Sequence, residues 1–163
     1  MNYKIKLLAF FLCVTLNIAA QTPAATIPSF NFVKQDKSAF TNKNLVAGKM
    51  IFFVFFDASC DHCQHAIQYI NEHQQDFNNA AVYLITIDNP TTTELFLNKY
   101  GSNLKSKKNV TVLRDINNEF IRKFGPRKYP SMFLYSAQQK LLLYDDEPKN
   151  LIKFSNQIKV NGK

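Results

Sequence analysis

The residues best suited to chemistry are Cys60-Asp61-His62-Cys63, which stand where a strand pattern changes to a helix pattern. An apolar run over 50–56 precedes them, and apolar residues recur at helical spacing afterwards, at Ala66, Ile67, Ile70 and Phe77. The start of a helix carries unpaired N–H groups and positive dipole charge, which favour the thiolate of Cys60. The two-residue spacer lets Cys63 close a disulfide with it. The pattern therefore indicates a dithiol that exchanges electrons.

The N-terminus has the layout of a secretory signal peptide over 1–20. Lys4 and Lys6 precede an apolar stretch over 7–14, and small residues follow at Ala19 and Ala20. A retained membrane anchor is the alternative, but the apolar stretch is short against the roughly 20 residues that a spanning helix needs. We therefore predict an exported protein with no stable membrane span after cleavage.

Residues 21–163 have the size of one domain. Removal of the signal leaves Cys60 and Cys63 as the only cysteines, which argues against a structural disulfide framework. The whole chain has a net charge of +8, and Lys105, Lys107 and Lys108 form a basic cluster. No nucleic-acid motif accompanies that cluster, so a solvated loop is the simpler interpretation. We expect no nucleic-acid partner and a monomer.

Strand and helix patterns alternate along the chain. Strands are predicted at 29–33 (a short edge strand), 50–56 (central, because it is apolar throughout), 81–87, 110–113, 132–135 and 141–144. Helices are predicted at 61–77, 88–100, 116–124 and from Pro148 onward, the last with Leu151, Ile152, Ser155 and Ile158 on its apolar side. The last two strands read as a hairpin. This order predicts an α/β protein with a three-layer sandwich.

Three features together resemble the thioredoxin fold: the apolar strand, Cys60-x-x-Cys63 opening a helix, and Tyr129-Pro130-Ser131 entering the hairpin. The order of elements over 48–158 is similar to that of the exported TlpA/ResA-like thiol-disulfide oxidoreductases. The strand that ends in Asp88 matches the one before the helix inserted in that branch. The resemblance implies a three-layer α/β/α thioredoxin-like sandwich with a central mixed sheet and one inserted strand-helix unit.

The resemblance also implies roles for individual residues. Cys60 would be the attacking thiolate and Cys63 the buried thiol that resolves the mixed disulfide. Pro130 would be a cis-proline facing the disulfide, and the Tyr129 backbone would dock a substrate strand. No cofactor is expected beyond the Cys60–Cys63 disulfide, and no metal. The expected partners are protein thiols or disulfides and a redox partner protein, in the periplasm or an equivalent exported space.

The chain departs from the family pattern at three positions. Ser59 stands where many thioredoxin-like proteins carry Trp, Val54 replaces a buried Asp, and Ala66 replaces a Glu of ResA-like proteins. An aromatic lid over the site would then come from Phe56 or Tyr129. The proton of the resolving thiol would be carried by His65, Asp57 or a water.

The direction of electron flow depends on the residues around the thiols. His62 would stabilise the Cys60 thiolate and thus the reduced form, whereas Asp61 would do the reverse. Arg127 and Lys128 would add positive potential if they faced the site. These charges predict a thiol more acidic than free cysteine and a reduction potential above that of thioredoxin. The surrounding sequence is similar to that of reductants, so the sequence does not fix the direction, although a reductase is favoured.

Metal binding, peroxide reduction and non-enzymatic partner binding are three alternative functions for this sequence. Cys60, His62, Cys63 and His65 include metal-ligand types, but a structural zinc site needs two separated ligand pairs, and His73 is the only other histidine. A peroxiredoxin needs a Pro-x-x-x-Thr-x-x-Cys loop, and Asp57 stands where its Thr would be. A non-enzymatic binding module with a passive disulfide remains an open alternative.

Overall fold

The computed structural model describes residues 22–161, so the predicted signal peptide over 1–20 lies outside the described residues. The strands are β1 (Asn31–Lys34), β2 (Ala39–Thr41), β3 (Met50–Phe55), β4 (Ala80–Thr86), β5 (Val110–Arg114), β6 (Ser131–Tyr135) and β7 (Leu141–Asp145). The α-helices are α1 (Asp61–Glu72), α2 (Pro90–Tyr100), α3 (Glu119–Phe124) and α4 (Leu151–Asn161).

The seven strands form one mixed sheet in the order β2-β1-β5-β4-β3-β6-β7. Strand β3 pairs parallel with β4 and antiparallel with β6, and β4 pairs parallel with β5. All six residues of β3 are buried. An apolar strand with no alternation requires cover on both faces, so the predicted central position of this strand is confirmed.

Helices cover both faces of the sheet and create two cores. Alternate residues of β3 point to opposite faces: Phe52 joins one core, and Phe53 joins the other. The first core includes residues of α1, α2 and α4, and the second includes Phe120 and Phe124 of α3. This arrangement confirms the predicted three-layer thioredoxin-like α/β/α sandwich.

Three details of the predicted elements were wrong. The strand near 29–33 is not at the edge, because β1 lies between β5 and the short strand β2, which the sequence pattern did not indicate. The predicted helix over 61–77 ends at Glu72 and is followed by a separate 3-10 turn, Gln74–Phe77. Ile152 is exposed, because the buried face of α4 follows Leu151, Phe154, Ser155 and Ile158 at helical spacing.

A buried carboxylate positions α3 beside β5. Asp115 is 1% exposed; its Oδ1 accepts a hydrogen bond from the N–H of Glu119 at 2.9 Å, and its Oδ2 accepts one from Phe120 at 2.7 Å. Both donors belong to the first turn of the helix, where N–H groups lack partners within the helix. Asp115 therefore acts as the cap of a short helix whose two Phe side chains complete the second core.

We expect Asp115→Ala to lower the free energy of unfolding by about 2 kcal/mol, because two N–H groups of α3, one buried and one partly buried, lose their acceptor. Urea unfolding followed by circular dichroism measures this loss. Asp76→Ala is the matched control, since it removes only the ion pair with Lys159 at 3.3 Å and should cost less than about 1 kcal/mol. Equal losses in the two variants would contradict a capping role for Asp115.

Candidate redox site

The two cysteines lie at the start of α1, as predicted. Cys60 is the N-cap residue and is half-buried, and Cys63, the third helical residue, is fully buried. The carbonyl of Cys60 accepts hydrogen bonds from the N–H of Cys63 at 3.0 Å and of Gln64 at 3.2 Å. Both thiols are free. One thiol is therefore accessible to a partner and the other is held behind it.

The loop before the helix is held by the Asp57 carboxylate. Its Oδ1 accepts hydrogen bonds from the N–H of Ser59 at 2.7 Å and from the Ser59 hydroxyl at 2.5 Å. The backbone N–H of Asp57 donates to Sγ of Cys63 at 3.5 Å. The same residue therefore shapes the loop and contacts the buried thiol.

Asp88, at the end of the neighbouring strand, ties this loop to β4. Its Oδ2 accepts hydrogen bonds from the N–H of Ala58 at 2.8 Å and from the hydroxyl of Thr86 at 2.8 Å. From sequence, Asp88 marked a resemblance at the end of a strand but was not predicted to belong to the site. Its place directly after a buried strand parallel to the cysteine strand was the available signal, because the carboxyl ends of parallel strands share one edge.

The structure brings Tyr129 and Pro130 against Cys60, although they lie far apart in sequence. The Tyr129–Pro130 bond is cis, and Sγ of Cys60 donates to the carbonyl oxygen of Tyr129 at 3.7 Å. Pairing of Phe55 with Ser131 in the sheet places the cis-proline next to the end of β3. The predicted cis isomer of Pro130 and its place facing the cysteine pair are therefore present in the structure.

The surroundings of Cys63 and Tyr129 favour the protonated form of each side chain. Burial raises the pKa of the Cys63 thiol, and the neighbouring Cys60 and Asp57 add to that rise, while the hydrogen bond from the Asp57 backbone partly offsets it. Burial also raises the pKa of Tyr129 to about 12, with smaller contributions from Asp57 and Asp88. Cys63 and the Tyr129 phenol are therefore protonated near neutral pH.

The structure distinguishes between the two predicted lid residues, Phe56 and Tyr129, and between the two side chains predicted to carry the proton, His65 and Asp57. Phe56 is fully buried and stacks on Phe96 at 5.2 Å, so it cannot cover the site surface. Tyr129 is half-buried, and its ring packs 4.8 Å from that of Phe55. His65 is solvent-exposed, whereas the backbone N–H of Asp57 donates to the Cys63 sulfur and the Asp57 charge adds to the raised pKa of that thiol. Tyr129 is thus the lid candidate and Asp57 the candidate for proton transfer.

The charged residues around the site offset one another. Asp61 and His62 are exposed on the first turn of α1, where Asp61 Oδ1 accepts a hydrogen bond from Gln64 at 3.2 Å. Arg127 pairs with Asp146 at 2.9 Å, and Lys128 pairs with Glu147. The positive potential expected from Arg127 and Lys128 is therefore largely compensated by these two acidic residues.

Residues 22–161 were compared with the requirements of a metal site and of a membrane-spanning helix. Within that range, His, Cys, Asp and Glu side chains form no group of three or more that could hold a metal ion. In the same described range, no helix has the length and apolar character needed to cross a membrane.

Comparison with known proteins decides the family. The sequence profile described as the AhpC/TSA family matches residues 23–144, which includes both cysteines and the cis-proline. The chain belongs to the AhpC/TSA family. No curated protein sequence matches the chain significantly.

Solved structures agree with the thioredoxin-like fold of this AhpC/TSA protein. A thioredoxin-like protein from Porphyromonas gingivalis has a TM-score of 0.66 at 19% identity, over 87% of this chain and 97% of its own. A thiol-disulfide oxidoreductase from Bacteroides fragilis has 0.66 at 16% identity, over 82% and 98%. Peroxiredoxin Q from Xanthomonas campestris also has 0.66 at 16% identity, over 82% and 92%. The narrower resemblance to TlpA/ResA-like proteins stays a prediction.

Proposed function

We propose that this AhpC/TSA protein is an exported thiol-disulfide oxidoreductase that acts on protein substrates, preferentially as a reductase. The observation that carries the proposal is the accessible thiol of Cys60, 3.7 Å from the Tyr129 carbonyl next to a cis-proline, with the protonated thiol of Cys63 behind it. This arrangement exposes one nucleophile and shields its resolving partner.

In the first step, the Cys60 thiolate attacks one sulfur of a substrate disulfide. The substrate S–S bond breaks, a Cys60–substrate disulfide forms, and the leaving thiolate takes up a proton. The exposed backbone edge at Tyr129 lies beside the reacting sulfur, where it can pair with an extended substrate segment.

In the second step, Cys63 loses its proton and attacks the sulfur of Cys60. A Cys60–Cys63 disulfide forms, and the second substrate thiol leaves, so two electrons have passed from the protein to the substrate. Asp57, whose backbone N–H donates to the Cys63 sulfur and whose charge adds to the raised pKa of that thiol, is the proposed acceptor of that proton. A redox partner protein returns the pair to the dithiol.

This function is favoured over peroxide reduction. Phe53 and Asp57 stand where a peroxiredoxin loop carries Pro and Thr, and Phe53 is a buried residue inside β3 rather than part of a loop. A passive binding module would not need an accessible thiol at a helix start. Thiol-disulfide exchange uses both the accessible Cys60 thiol and its position at the start of a helix.

Export is proposed from the signal-like segment at 1–20 and from the use of a single close cysteine pair. The protein would then act as a monomer in the periplasm or an equivalent space.

The reduction potential of the Cys60–Cys63 pair tests the direction of electron flow. After equilibration in dithiothreitol and glutathione buffers and counting of free thiols, a reductase should show a potential closer to that of thioredoxin, about −270 mV, than to about −120 mV. A value nearer −120 mV would indicate an oxidant instead. A pair that stays locked in one form under all buffers would support the passive module.

A further inference from the structure

A groove of about 380 Å³ opens at the carboxyl edge of the sheet, next to the redox loop. The end of β4, the start of α2, the end of β5 and the turn after β1 form its walls. Its apolar lining comes from Val33, Pro90, Val112, Leu113 and Ile116. Ile116 is 53% exposed although it is a large apolar residue, so the groove leaves apolar surface uncovered.

The Arg114 side chain in the lining carries a hydrogen-bond donor that no acceptor within residues 22–161 satisfies. The Nε–H of Arg114 is shielded from solvent, and it has no hydrogen-bond acceptor among the described residues. No carboxylate within residues 22–161 forms an ion pair with this guanidinium. A shielded donor on a charged group is costly to leave unpaired, and a guanidinium matches a carboxylate with two parallel hydrogen bonds.

The other charges of the groove also favour an anion. Lys34 and Lys37 add two positive charges to that of Arg114, and Asp88 is the single acidic residue of the lining. The Asp88 Oδ2 is already occupied by the N–H of Ala58 and the hydroxyl of Thr86. A ligand with one carboxylate on an apolar body therefore fits both the charge and the lining.

The groove is continuous with the redox site through Asp88. This residue lines the groove and at the same time holds Ala58, two positions before Cys60. The ends of β5 and β3 lie two strand spacings apart in the sheet, about 10 Å, which an extended chain covers in about three residues. Cys60 follows β3 by five residues and lies against Tyr129 on the far side of that strand, so a substrate segment with its sulfur at Cys60 needs at least about three residues to reach Arg114.

We propose that this groove binds an acidic side chain of the substrate polypeptide, carried about three to five residues from the reacting cysteine and flanked by apolar residues. The inference rests on the proposed thiol-disulfide exchange and names its substrate class. Arg114 binds the carboxylate, and the apolar lining around Ile116 covers the flanking side chains.

The test compares two short synthetic peptides, each with one cysteine in an apolar sequence and each used as its disulfide-linked dimer. One peptide carries Glu at about three to five residues from the cysteine, varied one residue at a time, and the other carries Gln at the same place. The reduced full-length protein is mixed with each dimer, and the rate of peptide thiol release is measured by acid quench and chromatography. Each turnover yields two peptide thiols and one Cys60–Cys63 disulfide.

We expect the wild-type protein to reduce the Glu peptide about tenfold faster than the Gln peptide, because a charge-assisted hydrogen bond is worth roughly that factor. Arg114→Gln should bring the ratio of the two rates close to one. Arg122→Gln is the matched control, since Arg122 is exposed, bonds only the carbonyl of Asn117 and lies outside the groove. It should keep the wild-type ratio.

Equal rates on the two peptides in the wild-type protein would overturn the inference, as would a preference that survives in Arg114→Gln or is lost equally in Arg122→Gln. The wild-type comparison does not depend on the folding of any variant. Failure to reduce either peptide or the small neutral disulfide of 2-mercaptoethanol would overturn the proposed function and the inference together. Equal peptide rates, with the Arg114 Nε–H NMR signal shifted by 3-phenylpropionate, would assign the groove to a free acid and overturn the inference alone.

Discussion

Cys60→Ser lowers the rate of disulfide reduction by at least about a thousandfold, because a serine hydroxyl is not ionised near neutral pH and cannot form the mixed disulfide. This loss is the largest effect on activity that the site predicts. It is measured with the reduced protein and a peptide disulfide, by chromatography of the released thiol. The free energy of unfolding should hardly change, since Cys60 is half-buried and the substitution keeps a similar size.

Cys63→Ser is the matched variant for the second step. It retains Cys60 and should accumulate a covalent Cys60–substrate adduct, visible by non-reducing electrophoresis and by intact mass, because no thiol remains to displace the substrate. If Cys60→Ser trapped the substrate and Cys63→Ser did not, Cys63 would be the attacking thiol and Cys60 the resolving thiol. An unchanged rate of exchange in Cys60→Ser would remove the enzymatic interpretation.

Phe53→Ala is expected to have the largest effect on stability. Phe53 is fully buried, and the centroid of its ring lies 5.4 to 6.1 Å from five other aromatic rings, those of Phe30, Tyr83, Phe120, Phe124 and Tyr135. Truncation removes these contacts and leaves a cavity that the sheet cannot close. We expect a loss of about 3–5 kcal/mol in the free energy of unfolding, measured in urea.

Leu95→Ala is the control for this loss, because Leu95 is 66% exposed on α2 and its truncation should change stability by no more than about 0.5 kcal/mol. A loss at Phe53 no larger than at Leu95 would mean that the second core is loosely packed. It would then also be unable to hold β3, and with it the redox loop, in a fixed position.

Most of the fold was predictable from sequence because its elements carry strong local patterns. The run from Met50 to Phe55 has no alternation, which indicated a strand covered on both faces, and Asn89-Pro90 and Gly101 marked the ends of α2. β2 was missed because three residues with a single buried side chain, Phe40, carry no periodic signal. The apolar side of α4 was partly misassigned because Ile152 lies off the face that begins at Leu151.

The redox site, like the fold, was predictable from sequence only in part. The cysteine pair and its place at the start of a helix could be read from the sequence, because both depend on neighbouring residues. The three-dimensional fold was needed to show that the carbonyl of Tyr129 lies 3.7 Å from Cys60 and that Asp88 holds the redox loop. It was also needed to show that Arg114 lines a groove and that its Nε–H has no acceptor among residues 22–161. These contacts join strands distant in sequence, and their distances follow from the register of the sheet, which local patterns of residues do not encode.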